Sequence, residues 1–271
     1  MHEFKAFIEG HGLIAPDVIP AGQKVRFAGF GKPKGNLSAV CFLFADGQGG
    51  WFKDFSTGQF VVWQSKRAVK PFSRHEIATL KADAEAVDLR KQAKAADKAR
   101  FIWSKLPLVS PSHAYLACKG IEPHGAKAGR GDSLVIPLFN PQMELVNLQF
   151  ISAEGAKRFL TGGRKQGCYW WLGKRSDRVL IAEGFATAAS LFEYSGCLTV
   201  IAFDAGNLLA VAKTVRARLG ESVEIIVCGD NDASGTGQKA ARAAAVASGG
   251  RYLLPKVVGH DFNDLLAGGA L

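Results

Sequence analysis

An α/β fold is predicted for the last third of this 271-residue chain, preceded by a basic mixed α+β region and a small β-rich module. Three observations carry that prediction. From residue 178 onward, short apolar runs ("VLIAE", "LTVIAF", "VEIIV", "RYLL") alternate with helix-length segments. Strands apolar on both faces and separated by helices belong to a parallel sheet covered on both sides. A glycine follows each of the three longer helical segments, at 196, 220 and 249, where a helix stop is expected. Acidic residues fall just past the strands, and functional groups of parallel sheets gather at the carboxyl ends of strands.

Residues 1–72 read as the β-rich module, with glycines and prolines punctuating runs such as "SAVCFLFADG" and "GQFVVW". Trp51, Phe52, Phe55, Phe60 and Trp63 are expected in its core rather than on a base-stacking surface. Residues 73–106 are expected to form a helical connector. Ser73 and Glu76 have capping-box spacing, and Pro107 is the first helix breaker after them. A thin apolar stripe (Ile77, Leu80, Ala84, Val87) leaves most of that helix to solvent. Residues 107–176 form the basic subdomain, with strands in "SLVIPLFN", "ELVNLQFIS" and "CYWWLG". Gly162 and Gly163 mark either a close backbone approach to a ligand or a plain turn. Residues 177–271 complete the chain as the parallel-sheet domain.

The charge is uneven. Residues 1–177 hold 26 Lys and Arg against 15 Asp and Glu, whereas residues 178–271 hold 8 against 9. A basic front joined to a near-neutral back suits a polyanion-binding surface beside a cation site. The five cysteines are scattered without a Cys-x-x-Cys pair, so no zinc is expected and a reducing, cytoplasmic setting is. No apolar stretch is long enough to span a bilayer, so no membrane partner is expected.

"VCGDNDASG", residues 227–235, runs a buried strand into Asp230 and Asp232. Carboxylates so close repel unless solvent or a cation compensates them. One reading is a solvated turn. The other adds Glu183, Asp204, Asp261 and Asp264, which the strand directions bring to the same sheet edge. Hard oxygen ligands in such a cleft suit Mg²⁺ or Mn²⁺. Asn207 reads as a helix N-cap or, less simply, as a phosphate contact.

Glu183-Gly184 after "VLIA" and "GDNDASG" after "EIIVC" resemble the Toprim domain of bacterial-type DNA primases, topoisomerases and some nucleases. "GRGDSLVIPLFNPQMELVNLQFIS" and "GAKRFLTGG" resemble the core that precedes Toprim in bacterial DNA primases, and "HAYLACKGI" resembles a segment of phage and plasmid primases. "EGFATAAS", "AFDAGNL" and "DFNDL" resemble the version in primase-helicases of plasmids, phages and integrated elements. The family's zinc module and a Walker A motif are absent from the sequence. The resemblance implies a nucleotidyltransferase making short RNA primers on single-stranded DNA from ribonucleoside triphosphates. A separate replicative helicase would be a partner. It implies Glu183, Asp230 and Asp232 as catalytic residues, and these with Asp261 and Asp264 as ligands of Mg²⁺ or Mn²⁺. Lys119, Arg130, Lys157, Arg158 and Lys165 would bind nucleotide and DNA. A Toprim nuclease and a non-catalytic DNA-binding accessory protein remain open. Asn at position 230 or 232 is expected to spare the fold, and even to raise thermal stability slightly by relieving repulsion.

Overall fold

The computed structural model describes residues 2–66, 68 and 70–267. The chain forms two compact units, Met1–Val87 and Asp88–Leu271. In the first, α1 (His2–Glu9) is followed by an antiparallel meander of β1 (Lys24–Phe27), β2 (Ala39–Leu43), β3 (Gly49–Asp54) and β4 (Phe60–Gln64). The helix was not expected, although Phe4, Phe7 and Ile8 have helical spacing. Phe4 and Ile8 are fully buried and pack with Cys41, Phe52 and Trp63 against one face of the meander. Of the five aromatics expected in the core, Trp51, Phe52 and Trp63 are buried and Phe60 is half-buried. Trp51 lies on the other face, stacked on Phe60 with centroids 5.4 Å apart. Phe55 is 37% exposed beneath the Arg26 guanidinium, 4.7 Å from its ring centroid.

Helix α2 (Arg74–Lys105) starts with the expected capping box. The Glu76 amide donates to the Ser73 hydroxyl (3.2 Å) and the Ser73 amide to the Glu76 carboxylate (2.7 Å). Its expected apolar stripe is largely exposed, including Ile77 and Val87. Burial falls instead on Ala95, Ala96 and Ala99, small side chains that allow close approach of a sheet.

In the second unit, α3 (Ala114–Lys119) precedes an antiparallel sheet of β5 (Lys127–Gly129), β6 (Ser133–Phe139), β7 (Leu145–Ile151) and β8 (Lys157–Phe159). The chain then forms β9 (Trp170–Leu172), β10 (Arg178–Ala182), α4 (Phe185–Ser195), β11 (Leu198–Ile201), α5 (Ala205–Leu219) and β12 (Glu224–Cys228). It finishes with α6 (Thr236–Ser248), β13 (Arg251–Leu253) and α7 (Phe262–Ala267). The second sheet has the order β13-β12-β10-β11-β9. β10 pairs in parallel with β11 and β12, and β12 with β13, as the alternation predicts. β9 adds an antiparallel edge, with Trp171 opposite Val200. "CYWWLG" is thus a strand, but of the C-terminal sheet.

Alternate residues along each strand enter different cores. Val179, Ile181, Ile225 and Val227 pack under α5 and α6 through Leu208, Val211 and Ala244. Leu180, Ala182, Ile226 and Cys228 pack under α4 and α7 through Phe185, Ala189 and Phe262. Both faces are covered, which is why the strands carry so few polar residues.

Candidate active site

β10 is central, with the next strand in sequence on one side of it and the following strand on the other. The sheet therefore changes direction of progression at its carboxyl end, where a crevice opens in open α/β folds. Glu183 is the first residue past β10, Asp204 lies past β11, and Asp230 lies past β12.

Glu183 and Asp230 are the electrostatic centre. Burial, then the charge of Asp230, pushes the Glu183 carboxyl up to about 7, with Asp204 and Asp232 adding to the rise. Burial, then Asp261, lifts Asp230 to about 6, while the nearby Lys157 ammonium pulls it down. The Asp230 backbone N–H lies 3.4 Å from Glu183 Oε1. Asp230 Oδ1 is buried and accepts no hydrogen bond from the described residues. A buried carboxylate oxygen without a donor is costly, and a cation would remove that cost.

The other three acids lie near enough to add to the rise of Asp230, and each also bonds locally to a helix start. Asp232 organises the start of α6. Its Oδ1 accepts from the Ser234 amide (2.8 Å), the Ser234 hydroxyl and the Thr236 amide, and its Oδ2 accepts from the Gly237 amide at 2.6 Å. The Ser234 hydroxyl, followed by the Gly237 amide, holds this carboxyl below the usual range. Gly237 is required there, because a Cβ would overlap the Asp230 carbonyl oxygen. Asp261 and Asp264 cap α7 reciprocally. Asp261 Oδ1 accepts the Asp264 amide (3.0 Å), and Asp264 Oδ2 accepts the Asp261 amide (3.1 Å). Asp261 Oδ2 also accepts the Thr187 hydroxyl from α4 (3.2 Å). Among the described residues, no three His, Cys, Asp or Glu side chains converge as a metal cage.

The basic residues divide. Lys157 reaches the acids, its ammonium only 3.4 Å from where a Cβ on Gly184 would sit. Lys165 forms an ion pair with Asp204 and lies over Phe159, 5.3 Å from its centroid. Lys119 pairs with Asp264 at 3.7 Å. Arg158 alternates away from Lys157 and stacks over Phe150, 5.8 Å from its centroid. Arg130 lies in the exposed β5–β6 turn.

Two buried amides position this basic strip, and sequence reasoning gave neither that role. Asn207 is not the cap: the N-cap of α5 is Asp204. Fully buried, Asn207 accepts from the Gly167 amide (2.7 Å) and donates to the carbonyls of Cys168 and Ala202 (both 2.8 Å). It thereby holds the loop that carries Lys165. Asn147, also fully buried, donates to the Arg164 carbonyl (3.0 Å). Gly163 packs directly on that amide, where a Cβ would overlap, so its close approach is to the protein itself. Uncharged Asn at mid-strand and after a cap residue was the available signal, because a buried amide must satisfy its bonds.

These residues fit Mg²⁺ or Mn²⁺ better than a closed metal cage. Such ions are held by one or two carboxylates, with water and phosphate oxygens filling the shell. Glu183 and the unpartnered Asp230 Oδ1 are the pair that could hold such an ion.

A sequence profile described as Toprim domain matches residues 178–270. The C-terminal third is a Toprim domain. Its homology extends further toward the N-terminus. Two Escherichia coli proteins, each named DNA primase TraC, are 31% identical over 255 residues and 33% identical over 261 residues. Each alignment takes in 86% of this chain but only 24% or 18% of the relative, so the chain spans a quarter or less of their length. Among solved structures, the primase fragment of the bacteriophage T7 primase-helicase protein is 13% identical, with a TM-score of 0.46 over 92% of this chain and 96% of that one. Within the matched residues, Glu183 directly follows β10 and the Asp230–Asp232 loop follows β12. No described helix is long and apolar enough to cross a membrane.

Proposed function

We propose that the chain is the catalytic portion of a DNA primase, a nucleotidyltransferase that joins ribonucleotides into short primers on a single-stranded DNA template. The observation that carries this reading is Glu183 facing Asp230, whose Oδ1 is buried without a donor, with Lys157 beside them. The kinship with the TraC primases supports it across both units. Replication of a plasmid, phage or integrated element is the setting, with a replicative helicase as a partner.

In the reaction a 3′-hydroxyl attacks the α-phosphate of an incoming nucleoside triphosphate, forming a P–O bond and releasing pyrophosphate. Glu183 and Asp230 would hold Mg²⁺ or Mn²⁺, and the ion would supply Lewis-acid polarisation of the phosphate and of the attacking hydroxyl. Glu183 would act either as a ligand of that ion or as the base that takes the hydroxyl proton. Asp232, bound to the first turn of α6, fixes the loop that carries Asp230. Lys157 neutralises charge on the phosphates at the acids, and Lys165 does so once drawn from Asp204. Arg158, Lys119 and Arg130 line the approach of the template backbone.

One observation favours a second reading, a DNA-binding accessory protein: Asp232, Asp261 and Asp264 have their oxygens engaged in capping bonds. Incubating the purified chain with single-stranded DNA, labelled ribonucleoside triphosphates and Mg²⁺ or Mn²⁺ separates the possibilities. Chelator-sensitive incorporation that needs all the triphosphates supports the primase. DNA cleavage without triphosphates would indicate a nuclease, and binding with neither product an accessory protein.

A further inference from the structure

A cavity of about 340 Å³ opens at the amino end of β11, the end of the sheet opposite the acids. Its floor is apolar, formed by Met143, Trp171, Leu198 and Val215. Its mouth carries Lys174, Arg175 and Arg218, all exposed. Among the described residues, no carboxylate pairs with any of these three cations. Arg175 spends one N–H on the Leu219 carbonyl (3.1 Å) and Arg218 one on the Pro141 carbonyl (3.4 Å). Those bonds steady the guanidinium groups at the rim and leave most of their donors for a ligand.

From this arrangement we infer that the cavity is a docking site for an acidic peptide segment of another protein, anchored by one apolar side chain. The anchor enters the floor while flanking carboxylates meet the three cations. Charge complementarity selects this occupant, because an acidic chain matches an all-cationic rim. The floor argues against a nucleobase. Its one hydroxyl, on Tyr169, is turned to the Met143 sulfur at 3.5 Å, which leaves a base edge without polar partners. Met143 lets the floor adapt to different anchors. The site lies a full strand length from Glu183 and Asp230, so occupancy need not block chemistry.

The test uses the full chain and an array of short synthetic peptides, each Asp- and Glu-rich with a single Leu, Ile, Phe or Trp. Controls replace the apolar residue by Ser, or the acids by Asn and Gln. Peptides with both features should bind, and both control sets should lose at least about tenfold in affinity. Arg218→Glu and Arg175→Glu should each cause a similar loss, with thermal stability and single-stranded DNA affinity unchanged. Binding by the Ser controls as strong as by the parent peptides would overturn the proposal, as would failure of the whole array. Loss of DNA affinity in both variants with peptide binding intact would also overturn it, making the rim a nucleic-acid track.

Discussion

The Asp230 backbone N–H points at Glu183 Oε1 across 3.4 Å, tying the end of β12 to the end of β10. This brings together two carboxyls from strands that are paired residue by residue, with Ala182 opposite Cys228. Glu183→Gln and Asp230→Asn should each reduce nucleotide incorporation by at least about a hundredfold, if both groups handle charge in the transition state. Fold should survive, and melting temperature in chelator should hold or rise. Incorporation near the parent rate in either variant would refute the catalytic assignment.

Asp232→Asn should behave differently from Asp230→Asn. An amide in place of this carboxylate presents N–H groups to the amides of Gly237 or Ser234, which need an acceptor. Loss of the cap costs about 1 kcal/mol, or a fall of about 2–4 °C for a unit of this size. Differential scanning calorimetry of the two variants checks this. Equal or higher stability in Asp232→Asn would restore the sequence-based expectation that the change spares the fold and relieves repulsion.

Stability of the metal-free protein should fall as pH rises. Glu183 and Asp230 titrate near 7 and near 6 in the fold, against 4.5 and 3.8 in an open chain. Between those limits the folded state keeps protons that the unfolded state has released. Their contribution is full below about pH 4 and is lost as pH passes through 6 and 7. Melting curves in chelator from pH 5 to 8 should show this decline, with a smaller slope in Glu183→Gln and a stability gain on adding Mg²⁺ at pH 8. A flat profile would remove the buried, coupled pair.

Asn207→Ala should be costly for a surface-distant reason. It strands the Gly167 amide and the Cys168 and Ala202 carbonyls in a buried setting. A loss of about 3 kcal/mol is expected. Under conditions where the variant stays folded, the KM for nucleoside triphosphate should rise more than kcat falls, because Lys165 loses its anchor. Unchanged stability and KM would remove the positioning role.

Lys157→Ala and Arg158→Ala should separate two kinds of charge. Arg158→Ala should weaken single-stranded DNA binding and flatten its salt dependence, since counterion release scales with the phosphates neutralised. Lys157→Ala should chiefly reduce incorporation and raise the Asp230 pKa, because its ammonium faces that carboxyl. Salt titrations of affinity for both variants, beside incorporation rates, distinguish them. Identical behaviour would mean the two side chains share one surface.

The C-terminal sheet was readable because continuous apolar strands leave few alternative arrangements, and strand direction alone put Glu183 and Asp230 on one edge. Side-chain bonding was not readable in the same way. Asp232, Asp261 and Asp264 read as ligands in sequence, and the pattern alone does not show that the amides of helix starts also bind an oxygen of each. The covering helix α1 is hard to see in sequence because three apolar residues in eight positions suit a short strand of a β-rich module as well as a helix. Phe55 was misassigned because β3 ends at Asp54, and its ring leaves the alternation that would have buried it.

β9 gives the protein an unusual answer to the question of what can be inherited or transplanted as a piece. The homology that defines the Toprim domain starts at residue 178, but the outermost strand of its sheet lies at 170–172, before that start. A fragment cut at the homology boundary would leave β11 as the sheet's margin, with its backbone groups bare and all four residues apolar or buried. Such a margin recruits strands from neighbouring molecules. The unit that recombination can move without provoking aggregation is therefore longer than the unit that sequence kinship outlines, and it carries part of the basic region with it.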